Sequence, residues 1–398
     1  MPTTIILDCD PGIDDALAIA FAHGHPDIEL AGLTSVAGNV GLDKTTANAL
    51  AVCEFVGAGG TPVTAGCAGP LLRPALDARH VHGDTGLGGA KLPPAVASPA
   101  PGHAIDYIID TVRAAPGEIT LVATGPLTNI ALAVRREPRL ADWVQGFVIM
   151  GGSAGRGNVT PAAEYNIWAD PEAAAVVFGA GWTVTMLGLD VTLRTSATAA
   201  VQQRMRELGP RGTELLVPAL EQYLSVREPA GPPVHDVCAV AWVASPELFR
   251  LVPARVQVEV AGQLTAGMTV TDFEIPDGAN ALVAMDIDVD AFWEVALGTY
   301  ARVAASMGAL PGAFTGRLTG RLTGRLTGRW RALPRGPVPH SGAPSARRPR
   351  PDRRNSTTHS TPRRSATPGR TGTTRSGLGR RKEPACRRPA GRPAPAGP

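Results

Sequence analysis

The sequence predicts an α/β fold with a largely parallel, doubly wound central sheet, and three observations predict it. Short β-branched or apolar runs alternate with helical stretches through the first 310 residues. Several runs are apolar without a break, such as ITLVA at 119–123 and FVIM at 147–150, as a strand covered on both faces requires. Each run ends in a polar or glycine-bearing turn.

Thr3–Leu7 reads as the first strand, Pro11-Gly12 as a turn, and the alanine-rich stretch Asp14–His23 as a helix. The pattern recurs at Ile28–Val36, ending in Ala37-Gly38-Asn39, and at Ile119–Ala123, ending in Thr124-Gly125-Pro126. It recurs again at Phe147–Met150 before Gly151-Gly152, and at Thr183–Leu189 before Asp190. Later runs, Arg255–Val260, Gly267–Thr271 and Ala281–Met285, alternate as exposed or antiparallel strands do, and a helix near Asp290–Met307 closes the series. In open parallel sheets ligands bind beyond the carboxyl ends of the strands, so the functional residues are expected in these turns.

Charge divides the chain. Residues 311–398 carry 21 of the 38 Lys and Arg but two of the 35 Asp and Glu, a net +19 against −16 for residues 1–310. The overall +3 averages two unlike segments. The last 88 residues are rich in Pro, Arg, Gly, Ser and Thr, and a Thr-Gly-Arg-Leu repeat from Thr315 to Leu326 builds no apolar face. Such a composition cannot bury enough apolar surface to offset its ordering entropy, so a disordered tail is expected beyond a folded domain at 1–310. Its repeat also suits an expansion or frameshifted extension.

Cys9, Cys53, Cys67, Cys238 and Cys386 have neither CxxC spacing nor a dense framework, which suits a reducing cytoplasm. The start MPTTIILDCD lacks a basic n-region and no apolar run reaches membrane-spanning length, so a soluble cytoplasmic protein with no membrane partner is expected.

Asp8, Asp10, Asp14 and Asp15 crowd eight residues at the end of the first strand. Asp14 and Asp15 would suit a helix N-terminus and Asp8 a strand end, but four like charges around one turn repel unless a cation or shared proton compensates. An all-oxygen set favours a hard cation, calcium or magnesium, over zinc. A second acid, Asp236, follows His235 at the head of an apolar helical stretch, Val237–Ser245.

DCDPGIDDALAI, with VAGN (36–39), HGDTGLGG (82–89), ATGPLTNIALA (123–133), VIMGG (148–152), AEYNIWADPEAA (163–174) and HDVCAVAW (235–242), resembles the inosine-uridine-preferring nucleoside hydrolase family over roughly residues 3–305. The resemblance implies hydrolysis of the N-glycosidic bond of purine or pyrimidine ribonucleosides. It implies Ca2+ held by Asp10, Asp15, Asp236 and the backbone carbonyl of Thr124, with Asp10 also the general base. It places Asp14, Asn39, Asn158, Glu164 and Asn166 on the ribose, Met150 beside the sugar, His82 and Tyr223 towards the base with Gln222 in the same segment, and His235 as the acid for the leaving base. Homodimers or homotetramers are common in such proteins. Direct displacement by water through an oxocarbenium-like state is the expected chemistry.

Two other readings compete. Asp8-Cys9-Asp10 after an apolar strand imitates the DxD of haloacid-dehalogenase-like phosphatases, but Gly12 stands where that pattern expects Thr or Val. The +19 segment could bind nucleic acid through phosphate contacts, though its one tryptophan, Trp330, offers little stacking.

Overall fold

The computed structural model describes residues 1–223, 231–274 and 278–308. The tail expected at 311–398, and residues 224–230 of the segment before His235, lie outside these described residues.

The strands are β1 Thr3–Cys9, β2 Ile28–Ser35, β3 Val63–Ala65, β4 Ile119–Ala123, β5 Gly146–Met150, β6 Val184–Leu187, β7 Phe249–Val258, β8 Thr269–Asp272 and β9 Ala281–Ile287. They form one sheet in the order β3-β2-β1-β4-β5-β6-β9-β7-β8. Pairing is parallel from β3 through β9, and antiparallel for β9 with β7 and β7 with β8. The doubly wound expectation therefore holds. The last three strands were expected to be exposed or antiparallel; β7 and β8 are antiparallel, but β9 inserts beside β6 and extends the parallel sheet on that side. The short β3 had no counterpart in the sequence reading.

The helices are α1 Ile13–Gly24, α2 Leu42–Val56, α3 Arg79–His82, α4 Ala104–Ala114, α5 Thr128–Arg136, α6 Leu140–Trp143 and α7 Tyr165–Ala169, then α8 Pro171–Phe178, α9 Leu189–Thr192, α10 Ala199–Arg206, α11 Val217–Tyr223, α12 His235–Ala244 and α13 Val289–Gly308. They cover both faces. Side-chain alternation along β1 sends Ile5, Leu7 and Cys9 into a core shared with α1, α2, α12 and α13, and Ile6 into a second core shared with α4, α5 and α8. Every residue of α1 from Ile13 to Ala22 is buried, and its alanines let neighbouring helices approach on all sides.

The order reverses at β1: the chain runs outward to β3, then crosses back to place β4 on the other flank. A crevice opens at such a switch point, beyond the carboxyl ends of β1 and β4. Asp10 and Thr124 follow those two ends directly.

Candidate active site

The floor of this crevice is acidic and buried. Asp10 (1% exposed), Asp14 (4%), Asp15 (0%) and Asp236 (3%) are all buried. The first three arrive together because β1 runs into the Pro11-Gly12 turn and then into α1, and Asp236 comes from the first turn of α12 packed beside it. Carboxylate oxygens of Asp14, Asp15 and Asp236 lie within 4.8 Å of one another. Asn39, from the turn after β2, joins Asp10 to this group: its backbone N–H donates to Asp10 Oδ2 (2.7 Å), and its side-chain amide donates to the Asp10 carbonyl (3.1 Å) and to Asp15 Oδ2 (3.2 Å). Asp15 also receives the Gly12 N–H (3.0 Å) and the Thr124 hydroxyl (2.9 Å). The other oxygen of Asp10, Oδ1, is buried with no hydrogen-bond partner among the described residues. A Cβ at Gly38 or Gly125 would run into that carboxylate, so both glycines let backbone close around it.

Burial pushes all four carboxyls above the usual range, and their mutual repulsion raises Asp10, Asp14 and Asp236 further; Asp14 rises to about 7. Four acids shut away from water cannot all ionise unless positive charge joins them. The unpartnered Asp10 Oδ1 and the all-oxygen donor set fit a hard divalent cation. Asp8 takes no part. Its Oδ1 accepts from the Asn129 amide (2.8 Å) and the Thr34 hydroxyl (2.5 Å), its Oδ2 is buried without a partner among the described residues, and burial raises it to about 7.

Above the floor lies a cavity of about 660 Å³, large enough for a small polar molecule. Asp14, Asn39, His82, Thr124, Met150, Asn158, Glu164, Asn166, Tyr223, His235 and Asp236 line it, whereas Asp10 and Asp15 lie beneath. Gln222 is not among the lining residues. Glu164 caps α7: its carboxylate accepts the N–H groups of Asn166 (2.9 Å), Ile167 (3.2 Å) and Gly152 (2.9 Å), yet burial still raises it to about 7. Asn166 is anchored by its amide nitrogen, which donates to the carbonyls of Thr124 (2.7 Å) and Met150 (3.0 Å) and ties the ends of β4 and β5 together. Asn158 sits at the exposed rim, where its Oδ1 accepts the Tyr165 N–H (3.0 Å).

Two histidines face the same space. His235 shares a hydrogen bond between Nδ1 and the buried Thr192 hydroxyl (2.8 Å), and burial lowers its pKa to about 4. His82 accepts the Ile13 N–H at Nδ1 (3.1 Å) and meets the edge of Tyr223 at 5.7 Å between ring centroids. The sequence reading passed over Thr192, Asn129, Tyr165, Trp168 and Arg156. Tyr165, Trp168 and Arg156 line the cavity, and no residue pattern marks them beyond their closeness to Asn158 and Asn166.

Comparison with known proteins gives one consistent answer. The family model described as inosine-uridine preferring nucleoside hydrolase matches residues 5–294. An inosine-uridine preferring nucleoside hydrolase of Leishmania major is 47% identical over 310 residues, 76% of this chain and 99% of that protein. A non-specific ribonucleoside hydrolase, RihC, of Klebsiella pneumoniae is 48% identical over 294 residues, 73% of this chain and 96% of its own length. Among solved structures, the purine-preferring ribonucleoside hydrolase from Gardnerella vaginalis superposes with a TM-score of 0.72 at 34% identity, over 76% of this chain and 99% of that one.

Proposed function

Because the chain belongs to the inosine-uridine preferring nucleoside hydrolase family and is a hydrolase of N-glycosyl compounds, we propose that its cavity takes a ribonucleoside and that water cleaves the bond between C1′ and the base with Asp10 as general base. The observation that carries this reading is the buried carboxylate floor, with Asp10 Oδ1 left free beneath a cavity of nucleoside size. Residues 1–310 form the catalytic domain in this reading, in the cytoplasm, as a homodimer or homotetramer.

Asp10, Asp15, Asp236 and the Thr124 carbonyl would hold Ca2+. Bound there, the cation would offset the floor's negative charge and make water more acidic. Asp10 accepts the water's proton, and the Asn39 N–H that donates to its Oδ2 holds the carboxylate in place as it does so. Asp14 meets the cavity while Asp15 lies behind it, so Asp14 is left to accept from a ribose hydroxyl. The anchored nitrogen of Asn166 leaves its Oδ1 for the sugar, and Asn39, Asn158, Glu164 and Met150 close around the same ring. Positive charge growing at C1′ is stabilised by these oxygens. His235 supplies the proton to the departing base, with His82 and Tyr223 on the base side.

Ribose release from inosine, adenosine, guanosine, uridine and cytidine, with and without a calcium chelator, tests this for the wild type beside Asp10→Ala. Calcium-dependent release that drops by about a thousandfold or more in the variant is the expected result. No release from any nucleoside by calcium-loaded wild type would reject the reading.

A further inference from the structure

Glu164 draws its hydrogen bonds from two sources. The N–H groups of Asn166 and Ile167 belong to α7, the helix that Glu164 itself caps, and they move with it. The Gly152 N–H (2.9 Å) comes from the turn after β5, so it is the contact that sets the carboxylate against the sheet. What holds Gly152 therefore decides where Glu164 points. On one side α9 holds it: the Leu189 N–H donates to the Gly152 carbonyl (2.9 Å), and Asp190 Oδ2 accepts the Ala154 N–H (2.9 Å). On the other stands Thr269, from β8. Its hydroxyl accepts the Ser153 N–H (2.9 Å) and donates to the Ser153 carbonyl (2.7 Å), so one side chain serves both polar groups of that residue's backbone. A Cβ on Gly152 would come within 2.9 Å of Thr269 Cγ2, so the methyl packs directly on that glycine.

Thr269 is 3% exposed and is not among the residues that line the cavity. Its backbone is fixed by the β7–β8 hairpin, where it pairs with Val258. The hairpin is braced at the same end against Trp168, which does line the cavity: a Cβ on Gly267 would lie 2.7 Å from Trp168 Cα. The antiparallel strands at the sheet's edge thus press on the wall that carries Glu164, Asn166 and Trp168. We propose that Thr269 is a positioning residue for the ribose: from behind this wall, without touching substrate, it sets the Gly152 amide that aims the Glu164 carboxylate at the sugar. The inference rests on the nucleoside-hydrolysis reading and deepens it by extending the ribose site to a residue outside the cavity. A valine in this place keeps the shape but leaves the buried Ser153 N–H and carbonyl without their partner, and a turn with such groups shifts to find others. The α9 contacts remain, so Glu164 is displaced and not released.

Ribose release by the calcium-loaded full chain, on the nucleoside that wild type cleaves fastest, tests this. Thr269→Val should lose about tenfold in kcat/KM, with KM rising about fivefold or more. Thr269→Ser restores the hydroxyl and should stay within about threefold of wild type. Val270→Ser, at the next and exposed position of β8, should do the same. In a Glu164→Ala chain, adding Thr269→Val should cost no more than about twofold, because the group it positions is gone. Amide hydrogen exchange reports the turn directly: residues 150–155 should exchange about tenfold faster or more in Thr269→Val, with β1 unchanged.

The same loss with and without Glu164, a fall in kcat at constant KM, a Thr269→Ser as slow as Thr269→Val, or unchanged exchange at 150–155 overturns the inference while leaving nucleoside hydrolysis intact. Exchange that quickens throughout the sheet overturns it too, since Thr269 would then hold the fold and not the turn. If wild type releases ribose from no nucleoside, although exchange at 150–155 responds to Thr269→Val, the reading beneath falls and the ribose role of Thr269 with it.

Discussion

At the scale of the residue, Glu164 gives the clearest pH signature. Its carboxyl is buried and raised to about 7, while in the unfolded chain it titrates near the ordinary glutamate value. A raised folded value means that Glu164 contributes stability in full below about pH 4.5, where both states hold the proton. That contribution is lost as pH rises towards 7, because the unfolded state releases the proton first. Wild type compared with Glu164→Gln by urea unfolding should therefore lose relative stability between pH 5 and pH 8, by roughly 3 kcal/mol at most. A difference that is flat with pH would sink the assignment. The acids Asp10, Asp14 and Asp15 were legible because four carboxylates in eight residues demand a compensating charge. That Asp8 leaves the group was not legible, because its partners Thr34 and Asn129 are 26 and 121 residues away. Thr192 stood equally hidden, since nothing in its own surroundings announces a hydrogen bond to His235, 43 residues on.

At the scale of the element, α1 carries two duties that its composition reconciles. Its N-terminal turn delivers Asp14 and Asp15 to the floor, and its remaining length is enclosed by α2, α12 and α13. Small side chains make that enclosure possible, so a larger one should push the helix and its acids out of place. Ala18→Leu is expected to cost about 1–3 kcal/mol in chemical unfolding and to weaken calcium binding, measured by titration calorimetry, by about tenfold. Lost stability with undiminished calcium affinity would mean that the acids are held by the Asn39 and Thr124 loops and not by the helix. The strands leading into the site were readable from their apolar runs and turn residues, with ends within about two residues of those found. Their partners were not. β9 reads like an exposed antiparallel strand, with a mixed burial pattern, yet it pairs in parallel with β6 because the chain returns to it after β7 and β8. Such order is decided by contacts distant in sequence, and β3, three residues long, is too short to leave a period.

At the scale of the whole molecule, the dominant fact is a charge division that the family relationship does not require. The family match ends at residue 294, and the matched relatives span about three quarters of this chain while being covered nearly completely themselves. The +19 segment from 311 to 398 thus lies beyond the proposed site residues, which all precede residue 240. Nucleosides are small and uncharged, so added positive charge should barely alter their binding, whereas a polyanion should respond strongly to dense arginine. Two measurements on the full chain and on a chain ending at residue 310 separate these effects. Ribose release should agree within about twofold at physiological salt, where the Debye length is about 8 Å. Binding to a labelled single-stranded RNA at low salt should appear in the full chain alone, and should fall steeply with log salt concentration, since the −16 remainder repels phosphate. If the shortened chain loses ribose release while remaining folded, residues 311–398 belong to the catalytic unit and the division at 310 is wrong. If both chains bind RNA alike, the contact lies on residues 1–310 and the arginine-rich segment is not its source.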